Sequence, residues 1–232
     1  MNNIVQGISR FRCDVFPNQE TLYRRLASHG QQPKALIISC ADSRVVPELI
    51  TQCGPGELFV CRNAGNIVPP AGESQGGVSA TIEYAVAVLG VRDVIVCGHS
   101  DCGAMKGLLH PGQLDAVPSV KAWLCHCSAA LGVFQASYPP DLHPAAAAKA
   151  LAQENVIAQL NHLRTHPSVA ARMAAGALSL HGWFFDLGSG SIEALDGTLN
   201  QFLPVEAEDD YPAALQSRPR RAAAVLERQT AQ

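Results

Sequence analysis

No stretch of this sequence approaches the roughly 20 consecutive apolar residues that a membrane-spanning helix requires, so an integral helical membrane protein is excluded. The opening run Met1-Asn2-Asn3-Ile4-Val5-Gln6-Gly7 has no cationic start and no apolar block, so no secretory signal is read there and a cytoplasmic protein is expected. Charge of one sign is not in excess. The formal net charge is −3, and nothing global recruits nucleic acid or an anionic membrane surface. The basic cluster Arg218-Pro219-Arg220-Arg221 is short and reads as part of a solvated tail. No internal repeat is present. What the 232 residues do have is 47% hydrophobic content, enough for the core of one decorated α/β domain, and eight cysteines. Without an export signal, cysteines point to metal binding or plain burial before disulfides.

The order of patterns predicts an α/β fold. From Ile4 to Ser28 apolar residues recur at helical spacing, and Pro17 divides them into two helices. This arm, residues 1–30, has no core of its own and is expected to pack on a partner subunit. The α/β domain is expected over residues 31–203. Ala35–Ser39 is a continuous apolar run that suits a parallel strand buried on both faces. Leu58–Arg62 is a second strand after the turn Gly54-Pro55-Gly56, and Asp93–Gly98 a third. Between them a loop over Asn63–Gly77 leads to a helix from Val78 to Leu89, stopped at Gly90. A further helix starts near Asp101 and Cys102, and others cover Val120–Val133 and Ala145–Leu163. Ala177–Asp186 reads as a strand that Gly188-Ser189-Gly190 turns into Ser191–Leu195, an edge hairpin. Residues 204–232 are expected to be a partly ordered tail, with a short helix over Ala222–Gln229. The sum is a central, mainly parallel sheet flanked by helices, with an N-terminal helical arm and an edge hairpin near the C-terminus.

Open sheets of this kind place ligands beyond the carboxyl ends of their strands. Cys40 follows the first strand and His99 the third, so both reach one rim. His99-x-x-Cys102 is a short chelating step, and Cys40 is the distant third donor. Two thiols and one imidazole suit a catalytic zinc with its fourth position left to exchange. Asp42 lies on the same turn as Cys40, where a carboxylate either ligates the metal or accepts a proton from zinc-bound water. Arg44 can hold that carboxylate through two parallel N–H bonds and favour its ionised form. Cys102, near a helix N-terminus, gains thiolate character from the dipole.

These segments, Cys40-Ala41-Asp42-Ser43-Arg44-Val45-Val46-Pro47-Glu48 and Gly98-His99-Ser100-Asp101-Cys102-Gly103-Ala104, strongly resemble the β-class carbonic anhydrases, over roughly residues 1–203. Pro55–Asn66, Glu83-Tyr84-Ala85-Val86, Asn155–Leu160 and His181-Gly182-Trp183 are similar to bacterial members, including those encoded with cyanate-degrading enzymes. The resemblance implies one zinc per subunit on Cys40, His99 and Cys102, with Asp42 on the metal only in a closed state. It implies reversible hydration of carbon dioxide to bicarbonate and a proton, by attack of zinc-bound hydroxide oriented by the Asp42–Arg44 dyad. It further implies a substrate pocket of Gln31, Phe59 from the neighbouring subunit, Tyr84 and the backbone N–H of Gly103, in a homodimer or tetramer. One departure matters. Family members with an inhibitory bicarbonate site have tryptophan where this chain has Ile37 and tyrosine where it has Phe185, so Arg62 alone remains of that trio. The open, water-ligated form near neutral pH, without bicarbonate inhibition, is therefore expected.

The remaining candidates have plainer readings. Cys13, Cys53, Cys61 and Cys97 read as small core residues. Cys125-His126-Cys127 reads as helix packing, because adjacent helical positions point apart. His110, His143, His162 and His166 read as surface residues, His181 as a satisfied core histidine, and Asp101 as a helix N-cap. Two other functions share the same rim residues. One is hydrolysis of carbon disulfide or carbonyl sulfide at the same zinc. The other is a zinc-binding or redox-responsive module without catalysis, which needs four protein ligands and gives the Asp42–Arg44 pair no task.

Overall fold

The computed structural model describes residues 1–73 and 76–206. The expected helix over Ala222–Gln229 lies outside them. The chain begins with α1 (Asn2–Arg10), passes through a wide turn over Phe11–Val15 with hydrogen bonds of the i→i+5 kind, and continues into α2 (Phe16–His29). The arm thus holds the two helices read from the sequence, with Pro17 at the start of the second. This proline sits in the first turn of α2, and the widened turn just before it absorbs the missing N–H and the ring's clash with the preceding turn. No residue of the arm is buried in the chain.

The sheet is built outward from β1 (Ala35–Cys40), all six residues of which are buried. A strand covered on both faces has no polar face to show, hence the continuous apolar run. Then come α3 (Pro47–Thr51), β2 (Leu58–Asn63), α4 (Gly77–Glu83) with a wide turn over Tyr84–Val88, and β3 (Asp93–His99). The helices α5 (Gly103–Leu109), α6 (Pro118–Leu124), α7 (Ser128–Ser137), α8 (Pro144–Leu163) and α9 (Pro167–Ala174) follow. The chain closes with β4 (Ser179–Phe185), β5 (Ile192–Asp196) and β6 (Gln201–Val205). The strand order is β2-β1-β3-β4-β5-β6. The pairs among β2, β1, β3 and β4 are parallel, and β5 and β6 are antiparallel additions.

The mainly parallel α/β sheet is thus as the sequence predicts, with differences at its margins. The expected hairpin is extended by β6, which is the true edge and crosses the expected boundary at residue 203. Pro204 disguises it: proline demotes a strand pattern, yet an edge strand tolerates the missing N–H. The helix expected over Val120–Val133 is two helices, separated by a tight turn at Cys125–Cys127. No helix among the described residues is long and apolar enough to cross a membrane.

Two glycines let α8 lie directly on the sheet. A Cβ on Gly98 in β3 would stand 2.8 Å from Val156 Cγ2, and one on Gly182 in β4 would stand 2.9 Å from Val156 Cγ1 and 3.0 Å from Leu160 Cδ1. Gly182→Ala is accordingly expected to cost about 1–3 kcal/mol by overpacking. Urea unfolding should show a lower midpoint at unchanged slope, and an unchanged midpoint would contradict this packing.

Candidate metal centre

Cys40 ends β1 and His99 ends β3, and these strands are neighbours in the sheet, about 4.8 Å apart. Cys102 arrives by a reversal of the chain at Asp101, whose φ of +59° is a left-handed conformation that aspartate tolerates better than most residues. The Sγ of Cys40, a ring nitrogen of His99 and the Sγ of Cys102 all lie within 4.8 Å of one another, and all three residues are buried. Among the described residues no other group of His, Cys, Asp and Glu converges in this way.

The donors fit a zinc ion. His99 Nδ1 lies 2.8 Å from the Ser100 carbonyl, so it carries the proton and leaves the lone pair on Nε2. That Nε2 is buried and has no hydrogen-bond partner in the chain. An orphaned buried acceptor requires an explanation, and a cation shared with two sulfurs supplies one. The thiols make the same point. Cys102 donates to Cys40, which pulls the Cys40 thiol well below its usual range, helped by the backbone N–H groups of Gly65 and Asp42, against burial. The neighbouring Cys40 and burial push Cys102 the other way. Two adjacent thiolates repel unless a cation stands between them. The N–H groups of Met105 and Ala104, at the start of α5, favour the Cys102 thiolate, as the helix-terminus argument anticipates.

The dyad is formed. Arg44 Nε donates to Asp42 Oδ1 at 2.9 Å and Nη2 to Oδ2 at 2.7 Å, while the Arg44 backbone N–H also reaches Oδ1 at 3.0 Å. These bonds hold the Asp42 carboxyl well below the usual carboxylate range. Asp42 is not one of the three converging donors. Arg62 pins the loop that carries both groups, donating to the Cys40 carbonyl at 3.1 Å and the Asp42 carbonyl at 2.7 Å.

Asp101 has a task that the sequence reading missed. Its side chain does not cap α5, whose cap position is Cys102. It accepts instead from Arg44 Nη1 at 2.8 Å and pairs with Lys106, so it steadies the far side of the guanidinium. The sequence signal was its place directly before a ligand, where the chain must reverse. Other readings are also corrected. Cys13 is exposed and Cys53 half-buried, whereas Cys61 and Cys97 are core residues. His166 is buried, with Nε2 at 3.0 Å from the Pro69 carbonyl, because the segment after Ile67 folds under the end of α8. His162 is half-buried and its Nδ1 lies 2.8 Å from the Val68 carbonyl. His181 pairs with Asp93 at 2.8 Å. Cys127 is buried and Cys125 exposed, pointing apart as expected.

The anticipated substrate-pocket residues divide. Gly103 directly follows Cys102 at the rim. Gln31 precedes β1, and Phe59 stands opposite Leu36 near the start of that strand. Tyr84 stacks on Phe59 with ring centroids 5.9 Å apart. These three lie at the other end of a six-residue strand spanning about 20 Å. One chain does not bring them to its own donors.

Strand ends that deliver two thiols and an imidazole to one rim, beside an arginine-held carboxylate, make a site compatible with zinc. Residues 35–192 match the family model described as carbonic anhydrase. The chain is 51% identical over 226 residues to a carbonic anhydrase of Pseudomonas aeruginosa, covering 97% of this chain and all of that one. It superposes on the β-carbonic anhydrase CcaA with a TM-score of 0.86 at 42% identity, over 90% of this chain and 93% of that one. One of two tetrameric β-carbonic anhydrases from Sordaria macrospora matches with a TM-score of 0.65 at 33% identity, over 84% of this chain and 92% of that one. The chain belongs to the carbonic anhydrase family of enzymes, in its β class.

Proposed function

We propose that this enzyme hydrates carbon dioxide reversibly to bicarbonate and a proton, using one zinc per chain held by Cys40 Sγ, His99 Nε2 and Cys102 Sγ, and that it works in the cytoplasm. The observation that carries the site is the buried, unpartnered His99 Nε2 converging with two thiols beside an arginine-held carboxylate. When bound, zinc supplies a Lewis acid that brings the pKa of coordinated water to about 7. Asp42 supplies direction. Its Oδ1 takes two bonds from Arg44 and its Oδ2 one, so Oδ2 keeps a lone pair for a proton of the attacking water. An ionised carboxylate only accepts, so the water turns a hydrogen toward Asp42 and its lone pair toward the carbon. Arg44, clamped between Asp42 and Asp101, keeps that acceptor fixed and charged. The Gly103 N–H, next in the chain to Cys102, is assigned to an oxygen of the substrate.

Gln31, Phe59 and Tyr84 complete the apolar pocket from a second subunit, which resolves their distance from the donors of their own chain. The arm supports the same assembly: Ile4 and Ile8 are 66% and 58% exposed in the single chain, too much apolar surface for a free helix. Relatives from Sordaria macrospora are tetrameric, and a homodimer is the least assembly expected here. Sedimentation should show it, and a monomer at every concentration would contradict it.

Ile37 and Phe185 join one apolar cluster with Ile95, Cys97 and Trp183, and neither side chain offers a polar atom to bicarbonate. Arg62 is already engaged with two carbonyls. Hydration near neutral pH is therefore expected to be insensitive to added bicarbonate beyond its mass-action effect, and steep inhibition in stopped-flow assays would contradict this. The same assay tests the function itself. Zinc-loaded enzyme should hydrate carbon dioxide far above the buffer rate, and no acceleration with zinc stoichiometrically bound would reject the proposal.

A further inference from the structure

Helix α8 carries a polar stripe on an otherwise apolar buried face. Asn155, Gln159 and His162 are spaced i, i+4, i+7 and fall on one side of the helix. Asn155 is 1% and Gln159 0% exposed, so their amides are costly unless hydrogen-bonded. They are bonded, and in series. Gln159 Oε1 accepts from the Val68 N–H at 2.8 Å, and its Nε2 donates to Asn155 Oδ1 at 2.9 Å and to the His126 carbonyl at 3.3 Å. Asn155 Nδ2 then donates to the Gly65 carbonyl at 2.9 Å. The Gly65 N–H donates to Cys40 Sγ at 3.4 Å. The chain of bonds therefore ends on a metal-site sulfur.

We propose that Asn155 is a positioning residue for the metal centre. It holds Gly65 so that its N–H points at Cys40 Sγ, and Gln159 locks Asn155 in place. Gly65 suits this post because its φ is +81° and a Cβ there would stand 3.1 Å from that of Ala104, so the turn is tight and its direction needs an external anchor. An N–H bond withdraws electron density from a thiolate and fixes its lone pairs, which is how outer partners tune a metal ligand. A core role alone would be served by an apolar residue, without a buried amide to satisfy. The inference rests on the reading of Cys40 as a ligand.

Cobalt substituted for zinc separates the two claims. The wild-type cobalt protein should show thiolate-to-metal charge-transfer absorption in the near ultraviolet. If it shows none, Cys40 and Cys102 are not ligands and both readings fail. If it does, Asn155→Leu should move the band to longer wavelength, because a thiolate that has lost its N–H bond gives up an electron more easily. Zinc affinity, measured by chelator competition, should fall about 10- to 100-fold. Gln159→Met should shift both in the same direction and by less. A merely structural role would lower stability and leave the band position unmoved, so folded variants with the wild-type band and affinity overturn the proposal. A measurement needing no variant is scalar coupling between the Gly65 amide proton and bound cadmium; its absence also overturns it.

Discussion

Cys40→Ala is expected to lose zinc on gel filtration and to hydrate carbon dioxide no faster than buffer. Zinc held by such donor sets binds with apparent free energies of about 10–16 kcal/mol. Spread over the ligands, loss of one costs at least about 3 kcal/mol, or more than two orders of magnitude in affinity. The loss is sharper here because His99 Nε2 would again be a buried acceptor without a partner. Cys61→Ala is the matched control. Cys61 is buried, and burial raises its thiol pKa, but it is not among the converging donors, so its variant should keep zinc and activity. Metal analysis beside stopped-flow rates checks both. Zinc retained by Cys40→Ala at full stoichiometry would remove Cys40 from the ligand set.

Asp42→Ala should give the converse result, with zinc retained and turnover reduced by about 100- to 10,000-fold, the usual span for a lost proton acceptor. Asp42 stands outside the donor cluster, so its removal takes away direction and leaves the metal. The pH dependence follows from Arg44, whose bonds hold the Asp42 carboxyl below its ordinary value. A depressed carboxylate stays ionised down to its lowered pKa, so Asp42 should not titrate within the working range between about pH 5 and 8. The ion pair stabilises the fold above the ordinary carboxylate pKa, and that contribution is lost only as the pH falls through the lowered one. Arg44→Gln should return the carboxyl toward 3.8, still below the working range, so it should lower turnover by loosening the direction of Asp42 and leave the pH profile in that range unmoved. Wild-type turnover in Arg44→Gln would uncouple the two residues. Wild-type turnover in Asp42→Ala would remove the dyad from the mechanism.

The parallel core and the three donors were legible because each has a local signature. A doubly covered strand must be continuously apolar, and two ligands at strand ends with a third one chelating step on need only the strand assignments to converge. What was hidden depends on partners distant in the chain. Asp101 looks like a helix cap until the fold brings Arg44, 57 residues away, against it. His166 looks like a surface residue until Pro69 arrives under α8. Asn155 and Gln159 were visible as part of a similar motif, but their task appears only when Gly65, 90 residues from Asn155, lies between helix and ligand. Pro17 and Pro204 share one physical reason for their places: a missing N–H breaks regular structure only where the fold cannot put it in a first turn or at a sheet edge.

The crystal structure of the zinc-loaded enzyme at neutral pH tests the account most directly. It should show zinc on Cys40, His99 and Cys102, solvent as the fourth ligand, and Asp42 still paired with Arg44. Asp42 or any other protein group in the fourth position would contradict it.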